Sequence, residues 1–244
     1  MKRKRHRTTN IGAISRLLKI FEKKGWQIDN QASNTMSSFN RFCELFEHLN
    51  SEQKNLLCML AEVYLRLKVE KYPSTLRRAL SEISVARLRQ IDTIYIVPII
   101  APEDANKNKS SGIVARLFYD PDIKAHNKIS SINTHVKDGP EVIPANAVSM
   151  NNVAVLFVDD FIGSGEKAIA AINAFRQIRC FDQANMIILS LIAQERGMRA
   201  LQEQGYYVVS AIVANRGISD RYIDPQKGEY YSGPGCLDRF LYRF

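Results

Sequence analysis

The sequence contains few cysteine and histidine residues, and their spacing is not that of a metal site. Its four cysteines form no Cys-x-x-Cys pair, which argues against a zinc site and a disulfide framework and favours a reducing, cytoplasmic setting. No apolar run approaches the roughly 18 residues that a membrane span requires. These absences predict a cytoplasmic protein with no membrane segment.

Positive charge is in excess, with a formal net charge of +9 over 244 residues. Much of it lies at the amino terminus, in the run Lys-Arg-Lys-Arg-His-Arg. We expect residues 1–10 to form a flexible basic arm, which either binds nucleic-acid phosphates or is simply solvated. A signal peptide is not expected, because Arg16 and Lys19 interrupt the apolar stretch that follows.

Hydrophobic periodicity divides the remaining chain into two parts. Residues 11–90 have helical spacing, as in Ile14, Leu17, Leu18 and Phe21, and predict a helical amino-terminal segment. Residues 91–244 predict an α/β domain with a parallel sheet of about five strands flanked by helices. The expected strands are 94–100, 113–119, 153–158, 186–193 and 206–214, the expected helices are 164–179 and 194–204, and 120–149 is expected to be an irregular loop.

The residues best suited to bind a ligand follow the end of the strand expected over 153–158. Asp159 and Asp160 follow the apolar run, then come the turn Gly163-Ser164-Gly165 and a helix that begins near Lys167. Ligands of open α/β sheets lie beyond the carboxyl ends of the strands, and helix N-termini attract anions. The two carboxylates are suited to pentose hydroxyls or to Mg²⁺ held through water, and the turn is suited to a phosphate.

Three other interpretations of this stretch are weaker. A Walker A loop would need Gly before Lys167 and Ser or Thr after it, but Glu166 and Ala168 stand there. A dinucleotide-binding turn would need a third glycine in register, which is missing. The third alternative is a solvated strand end with glycines that only form a tight turn.

The stretch resembles the binding motif of type I phosphoribosyltransferases: hydrophobic residues, an acidic pair, variable residues, then Thr/Ser-Gly-x-Thr. Asp159-Asp160 match the acidic pair and Ser164-Gly165 match the Ser-Gly. The resemblance implies that the acidic pair meets the ribose hydroxyls and that residues 163–167 surround the 5′-phosphate. Glu166 replaces a variable residue, and Lys167 replaces the last threonine.

Two further loops follow from the resemblance. The family holds the diphosphate with the loop after its first strand, which here spans residues 98–111 and contains Asp104, Lys109 and Ser110 as candidates. A mobile loop closes over the site in the family. Its counterpart would be residues 124–144, with Lys128, His135 and Lys137 as candidates.

A closer resemblance is to the divergent phosphoribosyltransferase-like proteins of bacterial conflict and antiphage systems, including those associated with retrons. These similarly have an Asp-Asp-Phe-Ile-Gly-Ser-Gly core and a later Arg-Gly-Ile-Ser-Asp segment, matched here from Arg216 to Asp220. The resemblance implies that Arg216 meets a phosphate or a base and that Asp220 holds the arginine.

The resemblance implies Mg²⁺-dependent binding of phosphoribosyl diphosphate or a related phosphorylated ribose, with phosphoribosyl transfer or hydrolysis in antiphage defence. Asp159 and Asp160 would be the catalytic residues and would hold Mg²⁺ through water. The alternative is a non-catalytic module that senses a nucleotide or regulates a partner effector or toxin, in a complex that contains nucleic acid. The altered Ser-Gly-Glu-Lys end and the short carboxyl-terminal tail favour this alternative.

Overall fold

The structure, a computed structural model, describes residues 3–28, 37–104, 107, 109–214, 221–223 and 230–232. Of residues 3–10, 221–223 and 230–232 it describes only the backbone. Two compact units are present: one comprises the described residues up to Arg66 together with those after residue 216, and the other comprises the described part of 67–216.

Helices and strands occupy most of the described residues. The helices are α1 (Arg3–Lys24), α2 (Ser38–His48), α3 (Ser51–Val63), α4 (Tyr72–Ser81), α5 (Val85–Leu88), α6 (Ser110–Arg116), α7 (Pro121–Lys124), α8 (Glu166–Ile178) and α9 (Glu195–Glu203). The strands are β1 (Thr93–Pro98), β2 (Asn133–Val136), β3 (Val153–Ile162), β4 (Met186–Gln194), β5 (Tyr207–Ala214), β6 (Arg221–Ile223) and β7 (Tyr230–Ser232).

The first unit packs α1, α2 and α3 around a small apolar core that includes Leu17, Phe21 and Phe46. A reciprocal pair of hydrogen bonds between Asn50 and Gln53 caps the start of α3. Because α1 begins at Arg3, the segment expected as a flexible arm lies largely within a helix. No helix in the described part of the chain combines the length and hydropathy of a membrane span.

The second unit contains a five-stranded sheet in the order β2-β1-β3-β4-β5, in which every neighbouring pair is parallel. Helices α4 and α6 cover one face, where Leu76 and Val114 join a core with Leu156. Helix α8 covers the other face, where Ile172 packs in a core with Phe157. With both faces covered, β3 is continuously apolar from Val153 to Val158 and β4 from Met186 to Leu189, as is typical of parallel sheets. The predicted fold class is confirmed.

The strand predicted over 113–119 is wrong. This segment forms α6 and the 3-10 turn Leu117–Tyr119, and its buried residues Val114 and Phe118 are four positions apart, as on a helix. The fifth strand is instead β2, which lies within the segment expected as a loop. Its residues alternate between exposed and half-buried, so this edge strand has no apolar run that would reveal it.

Helices α4 and α5 belong to the sheet unit. Tyr72, Leu80 and Leu88 lie in the same core as Ile94 and Ile96 of β1. The two compact units therefore divide at residues 66 and 67, whereas the sequence places the boundary at residue 90.

The direction in which the chain crosses the sheet changes between β1 and β3. From β1 the chain passes to β2 on one side, and the later strands follow on the other side of β1. In open α/β sheets such a switch point leaves a crevice between the two carboxyl-terminal loops, where ligands bind. The segment after β1 and the segment after β3 border this crevice.

We predict that Leu156→Ala lowers the free energy of unfolding by about 2–5 kcal/mol, because it leaves a cavity around a fully buried side chain of the central strand. Urea denaturation followed by circular dichroism measures the change. Ile178→Ala is the control, since Ile178 is 45% exposed at the end of α8, and we expect a change below about 1 kcal/mol. Equal losses in both variants would contradict the assignment of Leu156 to the core.

Candidate functional site at the switch point

Strand β3 carries the acidic pair past the end of its neighbour β1. Pairing between β1 and β3 ends at Pro98 and Val158, whereas pairing between β3 and β4 continues to Ile162. Because alternate residues of a strand face opposite sides, Asp159 points to the face that α8 covers and Asp160 to the face that α4 and α6 cover. The two carboxylates therefore lie on either side of β3, at the crevice.

Asp160 accepts hydrogen bonds from the first residues of two helices. The hydroxyl of Tyr72 donates to Oδ2 over 2.9 Å, and the hydroxyl of Ser110 donates to Oδ1 over 2.6 Å. Burial raises the pKa of Tyr72 to about 12, and the bond and negative charge of Asp160 add to the effect. Both donors hold the Asp160 carboxylate in one orientation.

Asp159 lies in a less polar environment. Burial raises the pKa of its carboxyl to about 8, and the neighbouring charge of Asp160 contributes. Oδ1 accepts a hydrogen bond of 2.9 Å from the peptide N–H of Asp160. Ser190, in register with Asp159 on β4, is fully buried, and within the described part of the chain its hydroxyl has no hydrogen-bond partner. This environment favours the protonated form of the Asp159 carboxyl.

The turn after β3 is shaped by Gly165, which has a positive φ of 87° and directly precedes α8. The carbonyl of Gly165 accepts the N–H of Ile169, and the Ser164 hydroxyl accepts the N–H of Glu166 over 3.5 Å. Glu166 is exposed, and its charge in the first turn suits the helix dipole. The backbone of 163–165 and the first turn of α8 therefore form one end of the crevice.

Helix α9 supports this turn through a second glycine. A side chain at Gly197, in the first turn of α9, would overlap the carbonyl oxygen of Gly163 and crowd Ile162. The absence of a side chain thus lets α9 approach the Gly-Ser-Gly turn closely. Sequence analysis missed Gly197, because a glycine inside a helical pattern ordinarily only weakens the helix.

The segment after β1 contributes a group of charges that we call the Asp104 cluster, formed by Asp104, Lys107, Lys109 and Lys167. The Asp104 carboxylate is buried and lies 2.8 Å from Nζ of Lys107, 2.8 Å from Nζ of Lys109 and 3.1 Å from Nζ of Lys167. The hydrogen bonds from these lysines hold the pKa of Asp104 well below its usual range. Lys167 belongs to α8, so the cluster joins the two segments that border the crevice.

Three candidate residues of the predicted closing loop are engaged elsewhere. Lys128 donates to the carbonyl oxygen of Ile83 over 2.7 Å. His135 is part of β2 and packs against the ring of Tyr95, and the N–H of Lys137 continues the pairing of β2 with β1. None of these three contacts joins the Asp104 cluster or the acidic pair.

Arg216 and Asp220 lie outside the described residues. Sequence analysis also missed Tyr72, which precedes the sheet by some twenty positions and has no motif around it. Ser190 could have been noticed in the sequence only as a single hydroxyl residue within the apolar run of β4, which is a weak indication of a functional role.

The described residues contain no group of three histidine, cysteine or acidic side chains that could enclose a metal ion. Mg²⁺, however, commonly binds through one or two carboxylates together with water and the phosphates of a ligand. Asp159 and Asp160 satisfy this requirement in number and in ligand type. They fit a magnesium ion that arrives with a phosphorylated ligand.

The comparison with known families agrees with this arrangement. The model of the PRTase-CE family matches residues 37–234, so the chain belongs to that family. Its five-stranded parallel sheet, flanked by helices, has the fold class predicted from the sequence. No curated protein matches the chain.

Solved structures that match part of this chain include orotate phosphoribosyltransferase from Aeropyrum pernix. It shares 16% identity over 60% of this chain and 72% of that chain, with a TM-score of 0.37. Another match is the Mycobacterium tuberculosis orotate phosphoribosyltransferase in complex with 5-phospho-α-D-ribosyl 1-diphosphate. It shares 10% identity over 66% of this chain and 78% of that chain, with a TM-score of 0.35. Adenine phosphoribosyltransferase from Thermoanaerobacter pseudethanolicus shares 15% identity over 67% of this chain and 84% of that chain, with a TM-score of 0.33.

We predict that Gly197→Ala destabilises the protein and displaces the Gly-Ser-Gly turn, because the added methyl group overlaps the Gly163 carbonyl. Thermal unfolding measures the loss. Gly112→Ala in α6 is the matched control, since nothing lies within 4 Å of the added atom. Alanine in a helix should there stabilise by up to about 1 kcal/mol. The same gain at Gly197 would mean that α9 does not support the turn.

We predict that Asp159→Asn gains stability relative to the wild type as the pH rises from about 4 towards 8. Over this range folded Asp159, with a pKa of about 8, keeps a proton that the unfolded chain has released, so wild-type stability falls by at most about 1.4 kcal/mol per pH unit. Asparagine removes this dependence. Urea denaturation at pH 5 and pH 8.5 measures the free energy of unfolding of both proteins, and Asp122→Asn at an exposed position is the control. If Asp159→Asn and the wild type differed in this free energy by the same amount at both pH values, the raised pKa of Asp159 would be contradicted.

Proposed function

We propose that the chain binds phosphoribosyl diphosphate, or a related phosphorylated ribose, in the crevice between β1 and β3. The observation that supports this most is the convergence at one switch point of an acidic pair, a glycine turn before a helix, and a cluster with three lysines. Each matches a different part of such a ligand: hydroxyls, a phosphate and a diphosphate. Membership of the PRTase-CE family supports the same assignment.

In this proposal, the acidic pair, the glycine turn and the hydroxyl donors of Asp160 have distinct roles. Asp159 and Asp160 accept hydrogen bonds from the ribose hydroxyls, and the backbone N–H groups of the Gly-Ser-Gly turn bind the 5′-phosphate. Tyr72 and Ser110 keep the Asp160 carboxylate in place. Mg²⁺, held by the acidic pair through water, would neutralise charge on the diphosphate.

Transfer would break the bond between C1 of the ribose and the diphosphate oxygen, and an acceptor or water would then bond to C1. The lysines would stabilise the negative charge that develops on the diphosphate. Positive charge develops at C1, and nearby carboxylates favour it electrostatically. The chain would thus act by positioning and charge stabilisation, without a covalent nucleophile.

A second candidate is a non-catalytic module that senses a nucleotide or regulates a partner effector or toxin. It is favoured by Lys167, which stands in place of the last threonine of the family motif and pairs with Asp104. A role in bacterial antiphage defence, in the cytoplasm and next to a retron, rests on the resemblance of the motifs. Contact with nucleic acid rests on the basic residues 1–10.

The test is calorimetric titration of phosphoribosyl diphosphate with Mg²⁺ into the wild type and into Asp159→Asn/Asp160→Asn. We expect micromolar binding that weakens at least about tenfold in the variant, since two charge-assisted contacts are lost. Asp122→Asn/Glu203→Gln changes the charge equally on exposed helix positions and should bind like the wild type. No binding by folded wild type would refute the proposal.

Turnover separates the two candidates. Phosphorus NMR of the same mixture, with and without nucleobase acceptors, would detect free pyrophosphate if the chain transfers or hydrolyses. Bound ligand that stays intact for hours would favour the non-catalytic module.

A further inference from the structure

Ser190 places a hydroxyl group inside the apolar strand β4. The residues before it, Met186 to Leu189, are apolar, and its own side chain is fully buried. In the described part of the chain, three buried side-chain atoms lack a hydrogen-bond partner: Oγ of Ser111, Nε of Arg176 and Oγ of Ser190. Of these residues, Ser190 is the one in register with a member of the acidic pair, because it pairs with Asp159 on β3.

Ser190 and Asp159 face the same side of the sheet. Phe157 and Ile188, two positions earlier on the two strands, both belong to the core beneath α8. Because alternate residues of a strand face the same side, Asp159 and Ser190 point that way too. Neighbouring strands lie about 4.8 Å apart, so rotation about the Cα–Cβ bond of Ser190 brings its hydroxyl within reach of the Asp159 carboxyl.

The hydroxyl of Ser190 makes no bond that would stabilise the fold as it stands. A buried hydroxyl without a partner costs free energy that a methyl group does not, so alanine would suit these apolar surroundings better. Buried polar groups that lower stability in this way are typical of functional sites. The position beside Asp159 therefore points to a role in the site.

Ser210 on β5 provides the contrast. It is in register with Ser190, so the two serines occupy the same level of the sheet, and it is also buried. Its hydroxyl, however, donates to the carbonyl oxygen of Ile212 over 3.0 Å. The hydroxyl of Ser210 thus serves its own strand, whereas that of Ser190 has no such use.

The carboxyl of Asp159 has room for a further donor. Its Oδ1 accepts the peptide N–H of Asp160 over 2.9 Å. The two oxygens of a carboxylate together offer about four acceptor positions, so a ligand hydroxyl and the Ser190 hydroxyl could bind at the same time. A side-chain donor would fix the plane of this carboxylate, as Tyr72 and Ser110 fix that of Asp160.

We propose that Ser190 is a positioning residue for Asp159: when a ligand binds at the crevice, the Ser190 hydroxyl donates to the Asp159 carboxylate and fixes the orientation in which it receives the ligand. The inference deepens the proposed function and rests on it for the identity of the ligand. Each carboxylate of the acidic pair then has its own hydroxyl donors, Ser190 on the face beneath α8 and Tyr72 and Ser110 on the other. Ser190 itself contacts neither the ligand nor Mg²⁺.

The inference predicts opposite signs for stability and for binding. Ser190→Ala removes an unbonded buried hydroxyl, so we expect Tm to rise by about 2 °C. Binding of phosphoribosyl diphosphate with Mg²⁺ should weaken about tenfold, because the bound state loses a hydrogen bond to a charged group. Ser210→Ala is the matched control: it removes a bonded hydroxyl from the next strand, so Tm should fall while the affinity stays unchanged.

The experiment is calorimetric titration of phosphoribosyl diphosphate with Mg²⁺ into the full chain and each variant, with thermal unfolding of the same proteins without ligand. Ser190→Thr keeps the hydroxyl and should bind within about threefold of the wild type, even where its added methyl group lowers Tm. In an Asp159→Ala background, Ser190→Ala should weaken binding by less than about twofold, because the carboxylate through which Ser190 acts is gone.

Three results would overturn the inference: wild-type affinity in Ser190→Ala, a Tm that falls in Ser190→Ala as it does in Ser210→Ala, or an equal loss of affinity from Ser190→Ala with and without the Asp159 carboxyl. Binding by the wild type that Ser190→Ala leaves intact overturns the role of Ser190 and keeps the proposed function. No binding by the folded wild type overturns the proposed function, and the role of Ser190 falls with it.

Discussion

Strand β3 pairs with two parallel neighbours, β1 and β4, and β4 extends further along β3 than β1 does. The site depends on this difference in the length of the two pairings. β1 stops at Pro98, which has no N–H to donate and so suits a strand end. β4 continues to pair with β3 as far as Ile162. The result is a stretch of rigid strand that is paired on one side and open on the other. Two carboxylates stand on that stretch, so their positions are set by sheet hydrogen bonds and not by a loop.

The environments of the two carboxylates differ because the strand separates them. Asp160 meets two hydroxyl donors, whereas Asp159 faces a half-buried setting that raises its pKa to about 8. A cation or a hydroxyl-bearing ligand would compensate the cost of ionising Asp159. The site therefore disfavours a second negative charge at the acidic end and is positively charged at the Asp104 cluster. A ligand with hydroxyls or a cation at one end and phosphates at the other would complement both.

Much of the fold could be predicted from hydrophobic patterning. The strands β3, β4 and β5 are long apolar runs bounded by polar residues, and the helices α8 and α9 between them have clear helical spacing. β2 could not be predicted, because an exposed edge strand needs no apolar face. The sequence wrongly predicts a strand over 113–119, because a short apolar run fits either a strand or a helix until its packing partners are known.

For the site, the sequence by itself determined the acidic pair, the Gly-Ser-Gly turn and the lysines near it, since these chemical groups follow one another along the chain. Only the tertiary structure decided which of them meet. Lys167 is 63 positions from Asp104 and Tyr72 is 88 positions from Asp160, yet each pair is in hydrogen-bond contact. Such contacts depend on sheet order and on the close approach of helices, as at Gly197. Local patterns do not encode these, because they arise from packing between distant segments.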